Sequence, residues 1–314
     1  MTIEVRPLRE DELDAADAIC RRAFGTSLGL PDPRAFGGDA EVLRCRWSAD
    51  PGSTSALLED GVLAGSNVVT RWGSVGLLGP LSVEPSRQGR GLARALVAEA
   101  LRMLEGPPVT FRGLFASAQS PAQVGLFQRF GYWPASLAAV MSKEVAPGAE
   151  APAGSGLLSL LSGDAQAEAL SECRSLTDGV FDGLDVTGEI LSLGEAGTGE
   201  TVLLREGSAL AGLAVCHAGA GSEAGSGRAA VKLAAVLSGP GAEARLLRLL
   251  EAVEAWAAGA GATAVAAGTS AGRVRAWQAL RGAGYRPFVQ GIAMHHDRRP
   301  GYDREDVFVL DDWR

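Results

Sequence analysis

The amino-acid sequence predicts a mixed α/β fold (an α+β mixed sheet) built twice in tandem, each copy being a sheet flanked by helices. Apolar runs with strand spacing alternate with segments whose apolar residues recur at helical spacing. The chain also repeats itself, because Gly131-Tyr132 recurs as Gly284-Tyr285, 153 residues further along. A chain of 314 residues has room for two domains of ordinary size.

The repeat also indicates where the two copies differ. The hairpin at residues 57–65 resembles residues 203–212, at a shorter spacing of 146 to 147 residues. This change of spacing predicts an insertion in the Gly/Ser-rich run at residues 219–227, which has the composition of a loop between strands.

A linker divides the copies. Residues 147–154 consist of Pro, Gly and Ala with one Glu, which is the composition of a linker. We therefore predict a first domain at residues 1–146 and a second domain at residues 155–314. The second domain is expected to end in a C-terminal strand or tail.

Ten elements follow one another in the first copy. Residues 11–24 predict a helix, because the first turn is acidic and two arginines stand near the end. Asp60-Gly61 is typical of a hairpin turn. In chain order we predict a strand at residues 3–6, helices at 11–24 and 39–47, strands at 55–59, 62–70 and 75–83, a helix at 92–104, a strand at 110–116, a helix at 121–130 and a strand at 138–145.

The turn between the strand at 75–83 and the helix at 92–104 predicts an anion-binding site. A helix N-terminus leaves several backbone N–H groups without partners, and the helix dipole favours negative charge there. Two glycines in the turn leave the backbone open to an anion, and two arginines add positive charge. We call residues 87–91 the cradle; its glycines and arginines are Arg87, Gly89, Arg90 and Gly91. An ordinary connection with incidental glycines is the alternative.

The cradle resembles motif A of the GNAT superfamily of N-acetyltransferases. Gln88, Gly91 and Ala93 fill that motif in register, and Val-x-Pro precedes it, as is frequent in the family. The resemblance implies a sheet that splays where the cofactor arm enters, and acetyl-coenzyme A with its pyrophosphate on the cradle. The pattern is neither the dinucleotide-binding fingerprint nor a P-loop. The residues implied in cofactor binding are Leu81, Ser82, Val83, Gln88, Gly89, Arg90, Gly91, Leu92, Ala93, Arg94, Ser120 and Phe127.

The resemblance also implies how the thioester is activated. In the family, backbone N–H groups at the end of the strand before the cradle hold the pantetheine and polarise the carbonyl, and residues 81–83 stand there. Many members use a tyrosine as the acid, at the position of Phe127, and an asparagine at the position of Ser120. A phenyl ring cannot donate a proton, so we expect water to protonate the leaving thiolate, and Ser120 to hydrogen-bond the pantetheine.

A general base is needed when the acceptor is an ordinary alkyl amine, because deprotonating it at pH 7 costs about 4–5 kcal/mol. Glu84 directly follows the strand and is the first candidate for the catalytic base; a solvated turn carboxylate is the alternative interpretation. Asp311, Asp312 and the terminal carboxylate of Arg314 form a second candidate group. The apolar residues 306–310 predict a strand that would carry them to the first domain.

The second copy is expected to be degenerate. A constant spacing of 153 residues aligns the cradle with Gly241, Ala242, Glu243 and Ala244. In that alignment a positive charge becomes negative and a glycine gains a methyl group, both of which oppose a bound pyrophosphate. The helix at residues 243–258 keeps its apolar spacing, so we expect the fold to persist and the working site to lie in the first copy.

Composition excludes several functions. A formal net charge of −8 argues against nucleic-acid binding. The charged N-terminus lacks a signal-peptide core and no apolar stretch has the roughly 18 residues of a membrane helix, so we expect a cytoplasmic protein without membrane contacts. The four cysteines are scattered, and His295 and His296 would point to opposite faces of a strand. We therefore expect free, buried thiols and no metal site.

These observations predict an acetyl-coenzyme A-dependent N-acetyltransferase that transfers the acetyl group directly to the amine of a small molecule. Gly-Leu-Ala-Arg at residues 91–94 and Arg-Phe-Gly-Tyr at residues 129–132 also resemble the first domain of intracellular-survival type aminoglycoside acetyltransferases. Two alternatives stay open: a protein or peptide amine as acceptor, or an acetyl-coenzyme A-binding protein without turnover. The oligomeric state is not predicted by the sequence.

Overall fold

The computed structural model describes residues 2–312 and forms, in that range, one continuous mixed sheet flanked by helices. The strands are β1 (Ile3–Pro7), β2 (Thr54–Glu59), β3 (Val62–Trp72), β4 (Val75–Val83), β5 (Phe111–Ala116), β6 (Tyr132–Glu144), β7 (Ser155–Leu157), β8 (Gly199–Glu206), β9 (Ala209–Gly219), β10 (Gly225–Val236), β11 (Ala264–Ser270), β12 (Arg286–His296) and β13 (Val309–Asp311). The α-helices are α1 (Leu13–Ser27), α2 (Val42–Ala49), α3 (Leu92–Met103), α4 (Pro121–Gln128), α5 (Gly163–Val180), α6 (Thr187–Ala196), α7 (Ala242–Gly259) and α8 (Val274–Gly282).

The element order confirms the predicted tandem fold. The sequence β1-α1-α2-β2-β3-β4-α3-β5-α4-β6 recurs as β7-α5-α6-β8-β9-β10-α7-β11-α8-β12, and β13 follows. The parallel pairs keep the same register, because Val75 lies opposite Phe111 in β4 and β5 and Arg228 lies opposite Ala264 in β10 and β11. The two copies therefore superimpose at a spacing of 153 residues through their central strands.

The two copies exchange their last strands. The sheet order runs β1-β2-β3-β4-β5-β12-β6-β11-β10-β9-β8-β7, so β12 pairs with β5 of the first copy and β6 pairs with β11 of the second. This exchange explains why β6 begins at Tyr132, six residues before the predicted start at 138. Tyr132 lies opposite His296, and its pairing partner therefore belongs to the other copy, outside the reach of a local pattern.

A shared apolar core also joins the copies. Trp72, Leu77 and Phe111 of the first copy belong to the same buried cluster as Leu213 and Leu233 of the second. Burying such side chains contributes roughly 1.5–3 kcal/mol each. Separating the copies would therefore expose a continuous apolar surface.

The predicted inserted loop, residues 220–224, connects β9 and β10 and carries a buried carboxylate to the first copy. The Oε2 atom of Glu223 lies 2.9 Å from Arg46 Nη2 and 2.7 Å from Lys232 Nζ. Arg46, in α2, also donates from Nη1 to the carbonyl oxygen of Gly79 at 2.9 Å. The loop thus forms an ion-pair network between α2, β4 and β10.

The network keeps Glu223 ionised. Burial alone would raise the pKa of Glu223, but attraction to Arg46 and Lys232 outweighs burial and holds that pKa well below its usual value of 4.5. The stabilisation from a carboxylate whose pKa is depressed in the folded state is present above the unfolded pKa. It is lost as the pH falls through the folded value.

Replacing Arg46 with Met should lower the free energy of unfolding by about 3–5 kcal/mol, because it leaves a buried carboxylate with one cation fewer. Arg44→Met is the matched control on the same helix; the Arg44 side chain is 46% exposed, and its loss should cost less than about 1 kcal/mol. Denaturant titration measures both. The Arg46→Met deficit should shrink as the pH falls below about 4.5, and equal deficits for the two variants would contradict the network.

Residues 1–150 and 151–314, expressed separately, should each fail to fold, because each would lack the strand that completes its sheet and would expose an unpaired edge. Co-expression should give a soluble complex of the two pieces. Circular dichroism and size-exclusion chromatography distinguish these outcomes. A folded, monomeric fragment of residues 1–150 would show that the exchange is dispensable.

Candidate active site

The first copy contains an open cleft between β4 and β5. The two strands are paired in parallel from Val75 to Leu78, where Leu78 lies opposite Leu114. A one-residue bulge then interrupts β4 at Gly79-Pro80, opposite the step from Asn67 to Val69 on β3. Within residues 2–312, no strand pairs with β4 beyond this bulge on its β5 side. The sheet therefore splays where the resemblance implies that the cofactor arm enters.

The main chain at the end of β4 turns two N–H groups into this cleft. The Glu84 N–H donates to the carbonyl oxygen of Ala64 on β3 at 2.8 Å. Because successive residues of a strand face opposite sides, the N–H of Ser82 also points to β3, and those of Leu81 and Val83 point into the cleft. Of the three residues predicted to hold the pantetheine, these two supply free donors by this alternation.

The cradle has the predicted open geometry. Gly89 and Gly91 have φ values of 78° and 84°, a left-handed conformation that favours glycine. A Cβ atom at either position would meet no atom within 4 Å, so the space above the backbone is open. α3 begins at Leu92, and the first-turn N–H groups have no acceptor within the helix.

The two arginines of the cradle share one carboxylate that sequence patterns did not reveal. Arg87 Nη1 and Arg90 Nη1 lie 2.8 and 2.9 Å from the same Oε2 atom of Glu59, whose side chain is only 4% exposed. One positive charge of the pair is thus neutralised and one remains. Gln88 Nε2 donates to the carbonyl oxygen of Val83 at 3.0 Å, which fixes the cradle to the end of β4. The signal was present in the repeat, since Glu206 pairs with Arg245 at the equivalent place.

Glu84, the predicted base, is engaged in an ion pair. Arg22 of α1 holds the carboxylate through Nη2 at 2.6 Å and through Nε at 3.2 Å. A guanidinium in this position stabilises the ionised carboxylate and makes it a weaker proton acceptor. The partner, 62 residues earlier in the chain, could not be identified from sequence.

The remaining predicted cofactor residues lie on α4. The Ser120 hydroxyl oxygen caps this helix by accepting from the Gln123 N–H at 3.3 Å. Phe127 is buried and packs edge-on against Tyr132, with ring centroids 6.3 Å apart. Burial raises the pKa of Tyr132, whose ring also packs against His296 at the far end of β5 from the cleft. Neither aromatic residue presents an acid to the cleft.

The C-terminal tail lies in the second copy. The predicted strand at 306–310 is found at Val309–Asp311 and pairs with β10, not with the first domain. The Asp311 carboxylate accepts from Arg273 Nη2 at 2.8 Å and from the Tyr302 hydroxyl at 2.8 Å. The Asp312 N–H donates to the carbonyl oxygen of Lys232. The expectation that this strand carries carboxylates to the first domain is wrong for Asp311; Arg314 lies outside the described residues.

The alignment of the second cradle at a constant spacing is wrong. Gly241, with φ 82°, caps α7 as Gly91 caps α3, so the spacing here is 150 residues and the connecting turn is three residues shorter. A longer α7 restores the spacing of 153 at β11. Glu243 therefore lies inside the helix, where Arg275 Nη2 is 3.3 Å away, and does not replace a cradle arginine. A reversed charge in the cradle is not what distinguishes the copies.

The cysteines offer no nucleophile. All four are free. Burial raises the pKa of Cys20, Cys45 and Cys173 to about 12, which leaves almost no thiolate at neutral pH. This geometry favours direct transfer over a covalent acyl-enzyme intermediate.

One group of potential metal ligands was not anticipated. Glu189, His217 and Glu223 offer ligand atoms that all lie within 4.8 Å of one another. Both Glu223 oxygens already accept from Arg46 and Lys232, whose charges oppose a cation at the same place. We therefore assign this group to the ion-pair network. None of the helices in residues 2–312 is long and apolar enough to span a bilayer.

Comparison with known proteins agrees with this geometry. Residues 22–132 match the model of the acetyltransferase (GNAT) family. No curated protein sequence matches the chain. Among solved structures, a protein from Pyrococcus horikoshii described as an acetyltransferase has a TM-score of 0.70 at 12% identity, covering 99% of this chain and 95% of its own.

Two further structures extend over both copies. A GCN5-related N-acetyltransferase from Sphaerobacter thermophilus has a TM-score of 0.62 at 20% identity, with 95% of this chain and 96% of that chain covered. A tandem GNAT protein from the clavulanic acid biosynthesis pathway has a TM-score of 0.53 at 15% identity, with 94% and 98% covered. These similarities show the fold alone, whereas the family match covers the cradle. The chain is thus a member of the acetyltransferase (GNAT) family, with the two-domain fold of a tandem GNAT protein.

Proposed function

We propose that the chain is an acetyl-coenzyme A-dependent N-acetyltransferase that acts on the amine of a small molecule, with its working site in the first copy. One observation carries the choice of copy. The cleft beside the first cradle is open, whereas β13 fills the equivalent cleft of the second copy. The second copy is then degenerate as a cofactor site, because of this strand rather than because of its cradle.

In the proposed reaction the amine nitrogen attacks the thioester carbonyl carbon, an N–C bond forms and the C–S bond breaks. The N–H groups of Leu81 and Val83 would donate to the carbonyl oxygen as negative charge develops on it. The pyrophosphate would lie on the cradle and the first turn of α3. The amine loses one proton and the thiolate gains one, which water supplies because Phe127 cannot.

Choice of acceptor is tested by measuring thiol release from acetyl-coenzyme A against a panel of amines. Polyamines and aminoglycosides come first, because of the resemblance to intracellular-survival type acetyltransferases, followed by basic peptides. Turnover with a small amine supports the proposal. Turnover with peptides alone would replace it with a protein amine acetyltransferase, and tight cofactor binding without any acceptor would indicate a binding protein.

Gly91→Glu should abolish coenzyme A binding, because it places negative charge and bulk where the diphosphate is expected. Gly241→Glu is a matched control: it makes the same change at the same helix position and at nearly the same φ, 82° against 84°. It should leave the dissociation constant within about threefold of the unmodified chain. Isothermal titration measures both. Retained binding in Gly91→Glu, or equal loss in the two variants, would refute the first cradle as the site.

If Glu84 is the general base, Glu84→Gln should lower kcat by about 10²–10⁴-fold while leaving the KM for acetyl-coenzyme A unchanged. Arg22→Gln is the control, because it breaks the same ion pair but keeps the carboxylate. Loss of activity in both variants with little difference would assign the pair a structural role. Loss only in Glu84→Gln would support the base.

A further inference from the structure

The second copy has a cleft equivalent to the first, and the chain itself lies in it. β13 runs antiparallel to β10, with Asp311 opposite Leu233, Leu310 opposite Ala234 and Val309 opposite Ala235. At the spacing of 153 residues, the β10 positions correspond to Pro80, Leu81 and Ser82 at the open edge of β4. The strand thus covers the main chain whose equivalent in the first copy faces the open cleft.

The opposite wall of the second cleft is shaped to receive this strand. A Cβ atom on Gly268 of β11 would lie only 2.0 Å from the carbonyl oxygen of Asp311, so the two backbones are in direct contact. The equivalent residue on β5 is Phe115, whose side chain could not be accommodated beside such a strand. A glycine is therefore required in the second copy but not in the first.

A buried arginine fastens the strand. Arg273, only 1% exposed, donates from Nη1 to the carbonyl oxygen of Val309 at 2.9 Å and from Nη2 to Asp311 Oδ1 at 2.8 Å. Its equivalent in the first copy is Ser120, which caps α4 and makes no such bridge. Asp303 holds Arg273 from the other side, at 3.1 Å from Nε.

Alternate side chains of the tail pack on both faces of the sheet. Phe308 and Leu310 belong to the apolar core under α7 and α8, and Val309 belongs to the core shared by the copies. The strand therefore has main-chain pairing, an ionic clamp and apolar contacts on each side, which are the components of strand addition to a sheet edge.

We propose that β13 is a built-in strand ligand of the second cofactor-type cleft, and that it limits the chain to one coenzyme A site. The blocked cleft follows from β13 alone; the single remaining site rests on the proposed function of the first cleft. The strand stays in place while the first cleft binds and releases coenzyme A.

Backbone amide exchange in the unmodified chain tests this proposal. The segments at 233–236 and 309–311 should be protected in the free protein, and residues 81–83 should exchange at least tenfold faster. Coenzyme A should slow exchange at residues 81–83, leave β13 unchanged and bind at one equivalent per chain. Loss of β13 protection on adding coenzyme A, or two bound equivalents, would overturn the proposal.

Failure of the proposed function would look different. If coenzyme A changes no amide in the first copy while β13 remains protected in the free chain, the first site is refuted and the blocked second cleft stands. If β13 exchanges as fast as residues 81–83 in the free chain, the blocked cleft is refuted whatever the first site does.

A single substitution provides the second test. Gly268→Ala should drive β13 out and raise its exchange at least tenfold, because the new methyl group meets the Asp311 backbone, while coenzyme A still binds at one equivalent to the first cleft. Gly282→Ala in α8 is the matched control, since a Cβ there meets nothing within 4 Å. Unchanged protection of β13 in Gly268→Ala would overturn the proposal. Should that variant fail to fold, the exchange pattern of the unmodified chain decides.

Discussion

Both walls of the open cleft are held in place by the second copy. β5 is completed by β12, without which it would present an unpaired edge. β4 is held at its bulge by Arg46, whose other partner is Glu223 from the second copy's loop. The width of the first cleft therefore depends on residues more than 200 positions along the chain. A second copy with a blocked cleft still has a physical reason to persist.

The difference between the copies is concentrated in few positions. Their strand registers and helix starts agree, and both cradles keep a left-handed glycine before the helix. Gly268 in place of Phe115, and Arg273 in place of Ser120, adapt the second cleft to a protein strand. Because a strand ligand tethered to the same chain acts at a high effective concentration, a few favourable contacts are enough to keep the cleft filled.

Local sequence patterns predicted the features that depend on neighbouring residues. The strand at 75–83 has the predicted bounds, α3 begins at the predicted residue, and Gly89 and Gly91 have the left-handed conformation that an open turn needs. The repeat at a spacing of 153 residues predicted the tandem fold. These features rest on turn chemistry and periodicity, which are written in short stretches of sequence.

Features that depend on distant residues were not predicted. The Glu59 carboxylate beneath the cradle, the Arg22 partner of Glu84 and the strand exchange all join segments whose proximity no local pattern encodes. The second cradle was misaligned because a shorter turn is compensated by a longer α7, so the spacing on either side gave no warning. The destination of the C-terminal strand depended on Gly268, which has no meaning until the fold is known.

The proposed chemistry places an unusual burden on the main chain. The cysteines are protonated, Phe127 carries no proton, and Arg22 holds the Glu84 carboxylate, so side chains contribute little to proton transfer. What remains is placement of the two substrates and the N–H groups at the end of β4, which act on the carbonyl rather than on the amine. Such a site cannot offset the about 4–5 kcal/mol that an ordinary alkyl amine requires at pH 7. An acceptor whose own amine has a lowered pKa, as when several amines repel one another on one small molecule, already carries that free energy in its structure.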